Sequence, residues 1–236
     1  MIVASGGRLR PVIAIDGPAG AGKSTVASHL ARRFGFLNLE TGAMYRALAL
    51  KALETATPFN DEAALMRLAD ATQIVLEPRE KEGNRVLLDG RDVTARIREK
   101  DVADAASLVS VHPQVRAWMV ERQRALGAQG GVVMEGRDIG TKVFPDAEVK
   151  IFLDAADDIR GQRRFLQNSS AAVPDREGAQ TQDAVLAAVR ERDARDRNRM
   201  ASPLIPAVDA VHLDTSAMTL HEVLRRAEAL VRAKLQ

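Results

Sequence analysis

The sequence predicts a doubly wound α/β fold with a parallel five-stranded sheet, a β-rich insertion and a short lid. Residues 12–15 form a uniformly apolar run beside a glycine-rich turn, the pattern of a strand buried on both faces of a parallel sheet. Apolar runs at 131–134 and 149–153, each followed by acidic or glycine-rich residues, repeat that pattern. Two further apolar runs lie on either side of a charged stretch, which indicates a hairpin between the core segments.

The first part of the predicted core alternates strand and helix. After the strand at 12–15, residues 25–34 have a helical pattern and 37–39 can form a second short strand. Residues 42–54 then have apolar side chains at helical spacing, and Thr41 is placed to cap that helix.

The segment 57–98 departs from this alternation. Apolar residues at 74–76 and 85–88 are separated by the charged, glycine-containing stretch 77–84, so we expect a small β-rich insertion. The sequence DGRDVT at 89–94 follows the second of these runs, and we interpret it as a solvated turn.

The last third of the chain returns to helices and a strand. Residues 168–180 contain Ser, Ala, Pro and Gly and almost no large apolar residue, so we expect an exposed mobile loop between two helices, with a lid as one functional interpretation. The following helix should extend to about Met200, and residues 210–213 should form a strand. Thr219 and Glu222 have the spacing of a capping box at the start of a final helix.

Composition excludes several classes of function. The 236 residues include no cysteine and four scattered histidines, which excludes disulfides, thiolate metal sites and a cysteine nucleophile and argues against zinc. A net charge of +2 and 3% aromatic residues do not suit a nucleic acid polymer as partner. No apolar run near the start resembles a signal peptide or membrane span, so we expect a cytoplasmic protein and no membrane partner.

Arginine dominates the basic residues, with 27 arginines and 7 lysines. The planar guanidinium suits bidentate contacts to phosphate. A GC-rich genome would produce the same bias, so only the placement of the arginines can decide between the two explanations.

A phosphate-binding motif lies between the first strand and the first helix. Residues 17–24 read GPAGAGKS, which satisfies G-x-x-x-x-G-K-[ST] in the strand–turn–helix context that confirms it. Backbone N–H groups and the helix N-terminus can surround a phosphate, Lys23 can reach the β and γ phosphates, and Ser24 can bind Mg²⁺, partly through water. A glycine-rich turn that binds nothing would not explain that lysine and that hydroxyl. We predict that ATP contacts Gly17, Pro18, Ala19, Gly20, Ala21, Gly22, Lys23, Ser24 and Thr25.

The identity of the phosphate acceptor depends on other segments. The absence of the guanine-binding sequence N-K-x-D argues against a switch GTPase. In the segment ETGAMYR, Gly42 and Arg46 fall one helical turn apart, so Arg46 can extend towards an anion, and Tyr45 offers a ring and a hydroxyl. An ordinary amphipathic helix would have the same pattern.

Two later segments carry charged residues where ligands bind. Arg137 and Asp138 follow a predicted parallel strand, at the edge where open α/β sheets bind ligands. Residues 190–199 contain five arginines, and helical spacing places Arg192, Asp196 and Arg199 on one face. We interpret this face as phosphate-binding and the other charges as outward pairs, although an exposed helix with ion pairs throughout is the alternative.

In combination these motifs resemble the bacterial cytidylate kinases, a family of nucleoside monophosphate kinases with a P-loop. The resemblance rests on the order of the P-loop, TGAMYR, a serine-to-arginine stretch at 107–116, EGRDIGT, FPDAEVKIFLD, RDARDRNR and PLIPA, and it covers nearly everything from Val12 onward. The departures are Glu40, where the family often has aspartate or a neutral residue, and Glu135 before Gly136.

The resemblance implies roles for individual residues. Ser107, Arg116 and Asp138 would face the cytosine edge, Arg192 and Asp196 the sugar, and Arg46, Arg137 and Arg199 the acceptor phosphate, with Thr41 and Tyr45 completing the substrate site. Arg160, Arg163 and Arg164 would be lid arginines. We predict Lys23, Arg137, Arg163 and Arg164 as catalytic residues. Glu135 could hold water on magnesium, and we assign no general base.

The resemblance also implies a reaction and a domain organisation. The reaction is ATP + CMP giving ADP + CDP, with Mg²⁺ as cofactor and dCMP as second substrate, in a monomer. Alternatives are another acceptor, such as UMP or a small metabolite like shikimate, and a regulatory protein that binds ATP without phosphotransfer. After a flexible N-terminus at 1–10, we expect one kinase domain over 11–236: core at 11–41, 105–160 and 181–236, monophosphate-binding part with insertion at 42–104, lid at 161–180.

Overall fold

The computed structural model describes residues 8–79, 83–171 and 181–235, with the side chains of 168–171 left out. The strands are β1 (Val12–Asp16), β2 (Leu37–Glu40), β3 (Ile74–Arg79), β4 (Gly83–Leu88), β5 (Arg91–Asp92), β6 (Val132–Gly136), β7 (Val149–Asp154) and β8 (Val211–Asp214). The helices are α1 (Lys23–Phe34), α2 (Gly42–Glu54), α3 (Glu62–Asp70), α4 (Lys100–Val109), α5 (Pro113–Gly127), α6 (Asp157–Ala171), α7 (Gln182–Asn198) and α8 (Leu220–Leu235).

The central sheet is parallel and five-stranded, in the order β2-β6-β1-β7-β8, as the sequence predicts. In the middle strand, Ile13 pairs with Val133 of β6 and Val149 of β7. Every residue of β1 is buried, which is why its sequence is continuously apolar up to Asp16.

Helices cover both faces of this sheet, so the doubly wound prediction is confirmed. Ile13 and Ile15 point to one face, in a cluster that includes residues of α1 and α8. Val12 and Ala14 point to the other, in a cluster that includes Ile139. Both clusters arise from side chains that alternate along a strand with period two.

A separate cluster holds the insertion against α2, α4 and α5. The insertion contains the antiparallel sheet β3-β4-β5, as predicted, and the turn that joins β4 to β5 has Asp89 and Gly90 at φ values of 49° and 80°. The prediction of a small β-rich insertion within 57–98 did not include α3. The signals for that helix are Asp61, whose carboxylate accepts the N–H of Ala64 at 2.9 Å, and the buried i, i+4 pair Leu65 and Ala69.

Helix α6 is longer than the sequence suggests. The predicted loop at 168–180 is wrong over 168–171, where α6 continues to Ala171. The rest of that loop, 172–180, lies outside the described residues. The predicted capping box of α8 is confirmed, because Glu222 accepts the N–H of Thr219 at 2.8 Å and Thr219 accepts that of Glu222 at 3.3 Å.

Residues 8–10 of the predicted flexible start, 1–10, belong to the described part of the chain. The side chain of Arg8 is 7% exposed and pairs with Asp146 at 2.8 Å and Glu148 at 3.0 Å. Residues 1–7 lie outside the described part of the chain. Within that part, no helix has both the length and the apolar character needed to cross a membrane.

Candidate active site

A cavity of about 550 Å³ opens at the carboxyl ends of β1, β2 and β6, the edge where parallel α/β sheets bind ligands. The structure brings most of the predicted site residues to it. The predicted residues that line it are Ala19, Gly20, Gly22, Lys23, Ser24, Thr25, Thr41, Tyr45, Arg46, Arg116, Arg137, Asp138, Arg164, Arg192, Asp196 and Arg199. Gly17, Pro18, Ala21, Ser107 and Arg163 are not among the described residues that line it.

The P-loop forms one end of the cavity. Gly17 has a φ of 149° and lies so close to β7 that a Cβ there would collide with the carbonyl oxygen of Leu153, so only glycine fits. The Lys23 ammonium donates to the carbonyl of Pro18 at 2.7 Å. Burial, then the nearby cation of Arg137, lowers the pKa of Lys23 to about 7. An anionic phosphate in this cavity would favour the charged form of Lys23.

Ser24 and Glu135 form an oxygen-rich corner beside Lys23. The Ser24 hydroxyl donates to Oε2 of Glu135 at 3.0 Å, and Oε1 of Glu135 is buried without a hydrogen-bond partner among the residues described. Burial, then the neighbouring Glu40 carboxylate, raises the pKa of Glu135 to about 7. Among the described residues there is no group of three or more His, Cys, Asp or Glu that could hold a metal alone. A cation here would therefore need oxygens from water or phosphate as well.

The opposite end of the cavity carries a buried ion pair. Arg116 on α5 donates to Asp138 at 2.6 Å, with side-chain exposures of 3% and 6%. The Arg116 guanidinium also donates to the carbonyl of Ser110 at 3.2 Å and lies 5.5 Å from the centre of the Tyr45 ring. Ser107, one turn before Ser110, is buried, and its hydroxyl has no hydrogen-bond partner in the part of the chain that the structure describes. The pair presents a cation and an anion side by side, which suits a ligand edge with both donors and acceptors.

The arginines of α7 converge with the loop after β6. Asp196 accepts from Arg137 at 2.8 Å and from Arg199 at 3.2 Å. Burial opposes ionisation of Asp196, but Arg137, Arg192 and Arg199 outweigh it and lower its pKa. Burial and Arg137 lower the pKa of Arg192 to about 10, which leaves it a cation at neutral pH. Positive charge therefore exceeds negative charge in this part of the cavity.

Arg46 of α2 completes this cationic group. It pairs with Glu40, and that contact outweighs the effect of burial and lowers the pKa of Glu40. Several polar atoms in and around the cavity are nevertheless buried without a partner among the described residues. They are Tyr45 Oη, Arg46 Nε, Ser107 Oγ, Arg116 Nε, Glu135 Oε1, Arg192 Nε and Arg199 Nη2. Since buried polar groups are normally hydrogen-bonded, such a concentration indicates a polar, anionic ligand.

Comparison with known proteins identifies the family. A family model described as cytidylate kinase matches residues 13–233. The chain belongs to the cytidylate kinase family. A cytidylate kinase of Pelotomaculum thermopropionicum is 50% identical over 94% of this chain and 96% of its own length. A cytidylate kinase of Pasteurella multocida is 42% identical over 95% of this chain and 96% of its own length. Among solved structures, a gluconokinase from Sinorhizobium meliloti 1021 matches 96% of this chain and 95% of its own at 16% identity, with a TM-score of 0.48.

The three arginines that the cytidylate kinase resemblance assigns to a lid have different environments. Arg160 is completely buried, donates to the carbonyl of Ala19 at 3.0 Å and pairs with Asp193. Arg163 donates to the hydroxyl and carbonyl of Thr215, both at 3.0 Å, and is not brought to the cavity. Only Arg164 of the three lines it, and burial, then Arg46, lowers its pKa. The catalytic role of Arg163 thus stays a prediction that this conformation does not support, and Arg160 has the surroundings of a structural residue.

Other expectations for this site need correction. The prediction that Thr41 caps α2 with its side chain is wrong, because its hydroxyl donates to the carbonyl of Glu135 at 2.7 Å. The interpretation of the remaining charges of α7 as outward pairs is wrong for Asp193, which is 5% exposed and accepts the N–H of Ala19 at 3.4 Å. Sequence reasoning also missed Arg98 and Lys100, which line the cavity from the insertion side. No local motif marks these positions.

Proposed function

We propose that this protein transfers the γ-phosphoryl group of ATP to CMP and dCMP, acting in the cytoplasm as a monomer. One observation carries the choice of substrates. P-loop residues and the buried Arg116–Asp138 pair line the same cavity, and several donors that line it are buried without a partner among the described residues. A nucleoside monophosphate has the matching sequence of groups: a phosphate, a sugar and a polar base edge.

The P-loop end suits the donor nucleotide. Lys23 and the N-terminus of α1 offer positive charge to the phosphates of ATP. The oxygens of Ser24 and the unpartnered Oε1 of Glu135 are the type that Mg²⁺ prefers, together with water and phosphate oxygens. When bound, Mg²⁺ would neutralise charge on the phosphates.

The other end suits the acceptor. The Arg116–Asp138 pair offers both an N–H donor and a carboxylate acceptor to the base edge, as recognition of cytosine requires. Asp196 faces the cavity and can accept a hydrogen bond from a sugar hydroxyl. Arg46 and Arg199, with their unpartnered N–H groups, can hold the acceptor phosphate.

Phosphoryl transfer needs positioning and charge neutralisation more than covalent chemistry from the protein. Three cations lie together here, because Arg137, after burial, lowers the pKa values of both Lys23 and Arg192. A single arginine contact to the transferring group is worth about 10³- to 10⁵-fold in rate. Arg164, which lines the same cavity, is the α6 residue best placed to contribute such a contact.

The first test measures ADP formation with Mg²⁺-ATP and CMP, dCMP, UMP, AMP or GMP in parallel. We expect turnover with CMP and dCMP, and a Lys23→Ala variant should lose about 10²- to 10³-fold in kcat, the range for one lost electrostatic contact. Lys51→Ala is the matched control, because Lys51 pairs with Asp89 on the insertion, 2.7 Å away and outside the cavity. Preference for UMP would still agree with phosphoryl transfer but would contradict the assignment of Arg116 and Asp138 to the cytosine edge. ATP turnover that does not depend on any acceptor would contradict the proposal.

A further inference from the structure

Asp16 is a buried carboxylate that the proposed reaction does not use. It is the last residue of β1, directly before the P-loop, and is 5% exposed. Its Oδ1 accepts the N–H of Ile139 at 2.8 Å and its Oδ2 accepts that of Gly140 at 2.7 Å. Asp16 is not among the described residues that line the cavity, so it serves the protein backbone and not a ligand.

Those two N–H groups belong to the loop that carries the acceptor site. They open a π-helical turn, Ile139–Val143, and immediately follow Arg137 and Asp138. The chain changes direction at Asp138, which has φ and ψ of −149° and 23° and whose carbonyl accepts the N–H of Lys142 at 2.8 Å. The first N–H groups of a helical turn have no partner within the turn, so an outside acceptor decides where the turn starts.

To accept the N–H groups of both Ile139 and Gly140, the side chain at position 16 needs two acceptor oxygens. Burial raises the pKa of Asp16 to about 6, against the two backbone hydrogen bonds that lower it; Asp138 raises it further and Lys23 lowers it. An asparagine would bring one carbonyl oxygen and an NH₂ group, so one of the two N–H groups would face a donor. Only the carboxylate satisfies both.

We propose that Asp16 is a positioning residue for the acceptor nucleotide. The inference rests on the proposed function, in which Asp138 contacts the acceptor base and Arg137 lies with the cations that neutralise the transferring group. By holding the N–H groups of Ile139 and Gly140, Asp16 fixes the backbone that brings Asp138 to Arg116. Because β1 also leads into the P-loop, the same carboxylate fixes the position of the loop at 137–140 relative to the P-loop.

The test compares Asp16→Asn with Asp154→Asn. Asp154 is the matched control because it ends the neighbouring strand β7, yet within the described part of the chain its Oδ1 accepts only the N–H of the next residue, Ala155, at 2.8 Å. In Asp16→Asn we expect the KM for CMP to rise about tenfold, as for one lost hydrogen bond to a charged group, with the KM for ATP within about twofold of wild type. The preference for CMP over UMP should fall as well. In both respects Asp154→Asn should match wild type.

Amide hydrogen exchange over residues 137–143 supplies a readout that does not depend on activity. Exchange there should be faster in Asp16→Asn than in wild type or Asp154→Asn, because the anchor of two N–H groups is weakened. If Asp16→Asn does not fold, Gly140→Ala perturbs the same contact from the other side. Its Cβ would lie 3.1 Å from Cδ of Lys150 and 3.4 Å from Asp16 Oδ2, so the loop or a neighbouring side chain must move by a few tenths of an ångström. The KM for CMP should again rise selectively.

Two results would overturn the inference: an unchanged KM for CMP with unchanged exchange, or equal increases in the KM values for CMP and ATP, which would indicate a general structural role. A wild-type protein that does not phosphorylate CMP would instead contradict the proposed function. In that case the exchange comparison would still decide whether Asp16 anchors the loop.

Discussion

The ion pair between Arg116 and Asp138 allows the stability of the acceptor site to be tested separately from its activity. Both side chains are almost completely buried, and among the described residues the guanidinium has one other hydrogen-bond acceptor, the carbonyl of Ser110 at 3.2 Å. Asp138→Ala would therefore leave a buried cation with a single weak partner. Arg116→Met keeps most of the apolar stem but leaves a buried carboxylate without its cation.

The expected cost of each single change is about 3 kcal/mol, at the low end of the range for breaking a buried pair. The double variant Arg116→Met/Asp138→Ala removes both charges together. Because no buried charge is then left alone, it should be no less stable than either single variant. The coupling energy between the two positions should therefore be about 3 kcal/mol.

Urea unfolding at neutral pH, with ΔG extrapolated for all four proteins, measures this coupling. Glu99→Ala is a suitable control, since Glu99 is exposed and its pair with Arg96 is long, at 3.4 Å. Additive single changes, with the double variant about 6 kcal/mol less stable than wild type, would refute the argument that each charge is buried only because of the other.

Three further predictions follow from particular contacts. Gly17→Ala should prevent the P-loop from forming, because its Cβ would collide with the carbonyl of Leu153, and a thermal melt should show a large loss of stability. Leu65→Ala should cost about 2–5 kcal/mol in the free energy of unfolding, because Leu65 is fully buried in the cluster under the insertion. The pKa of Asp16 is raised from 3.8 to about 6, so its contribution to stability is fully present below pH 3.8 and is lost as the pH rises through about 6. Relative to Asp16→Asn, the free energy of unfolding of the wild type should thus fall by about 2 kcal/mol between about pH 4.5 and pH 7; a difference that grows with pH would contradict this.

The central strands could be predicted from sequence because their signal is local. In β1 both faces of the strand are buried, so hydrophobicity runs without interruption to Asp16, where the strand ends. Helix α3 was missed because its buried face is narrow: of its nine residues only Leu65 and Ala69 are buried, and β-strand patterns follow directly after it. A short amphipathic helix with so few apolar positions has little sequence signal.

The site was predictable where motif residues themselves line the cavity, as Lys23 and Arg46 do. It was not predictable where a residue acts through a distant part of the chain. Asp16 meets Ile139 across 123 positions and Arg160 meets Asp193 across 33, and spacing along one helix does not reveal either contact. The orientation of Arg163 towards Thr215 likewise depends on where β8 ends beside β7.

The Arg160–Asp193 contact also bears on how this protein could change in length. Asp193 lies in the fourth turn of α7, and Arg160 is the fourth residue of α6. Both bind the backbone of Ala19 in the P-loop: Asp193 accepts its N–H, and Arg160 donates to its carbonyl. Insertions and deletions between Ala171 and Thr181 should therefore leave the contacts of Arg160 and Asp193 with Ala19 unchanged. A single-residue deletion inside α6 or α7 would instead rotate the two ends of that helix by about 100° relative to each other, so that Arg160 or Asp193 would lose its contact with Ala19. Natural variation and engineering should consequently alter the length of the connection and preserve the register of the two helices.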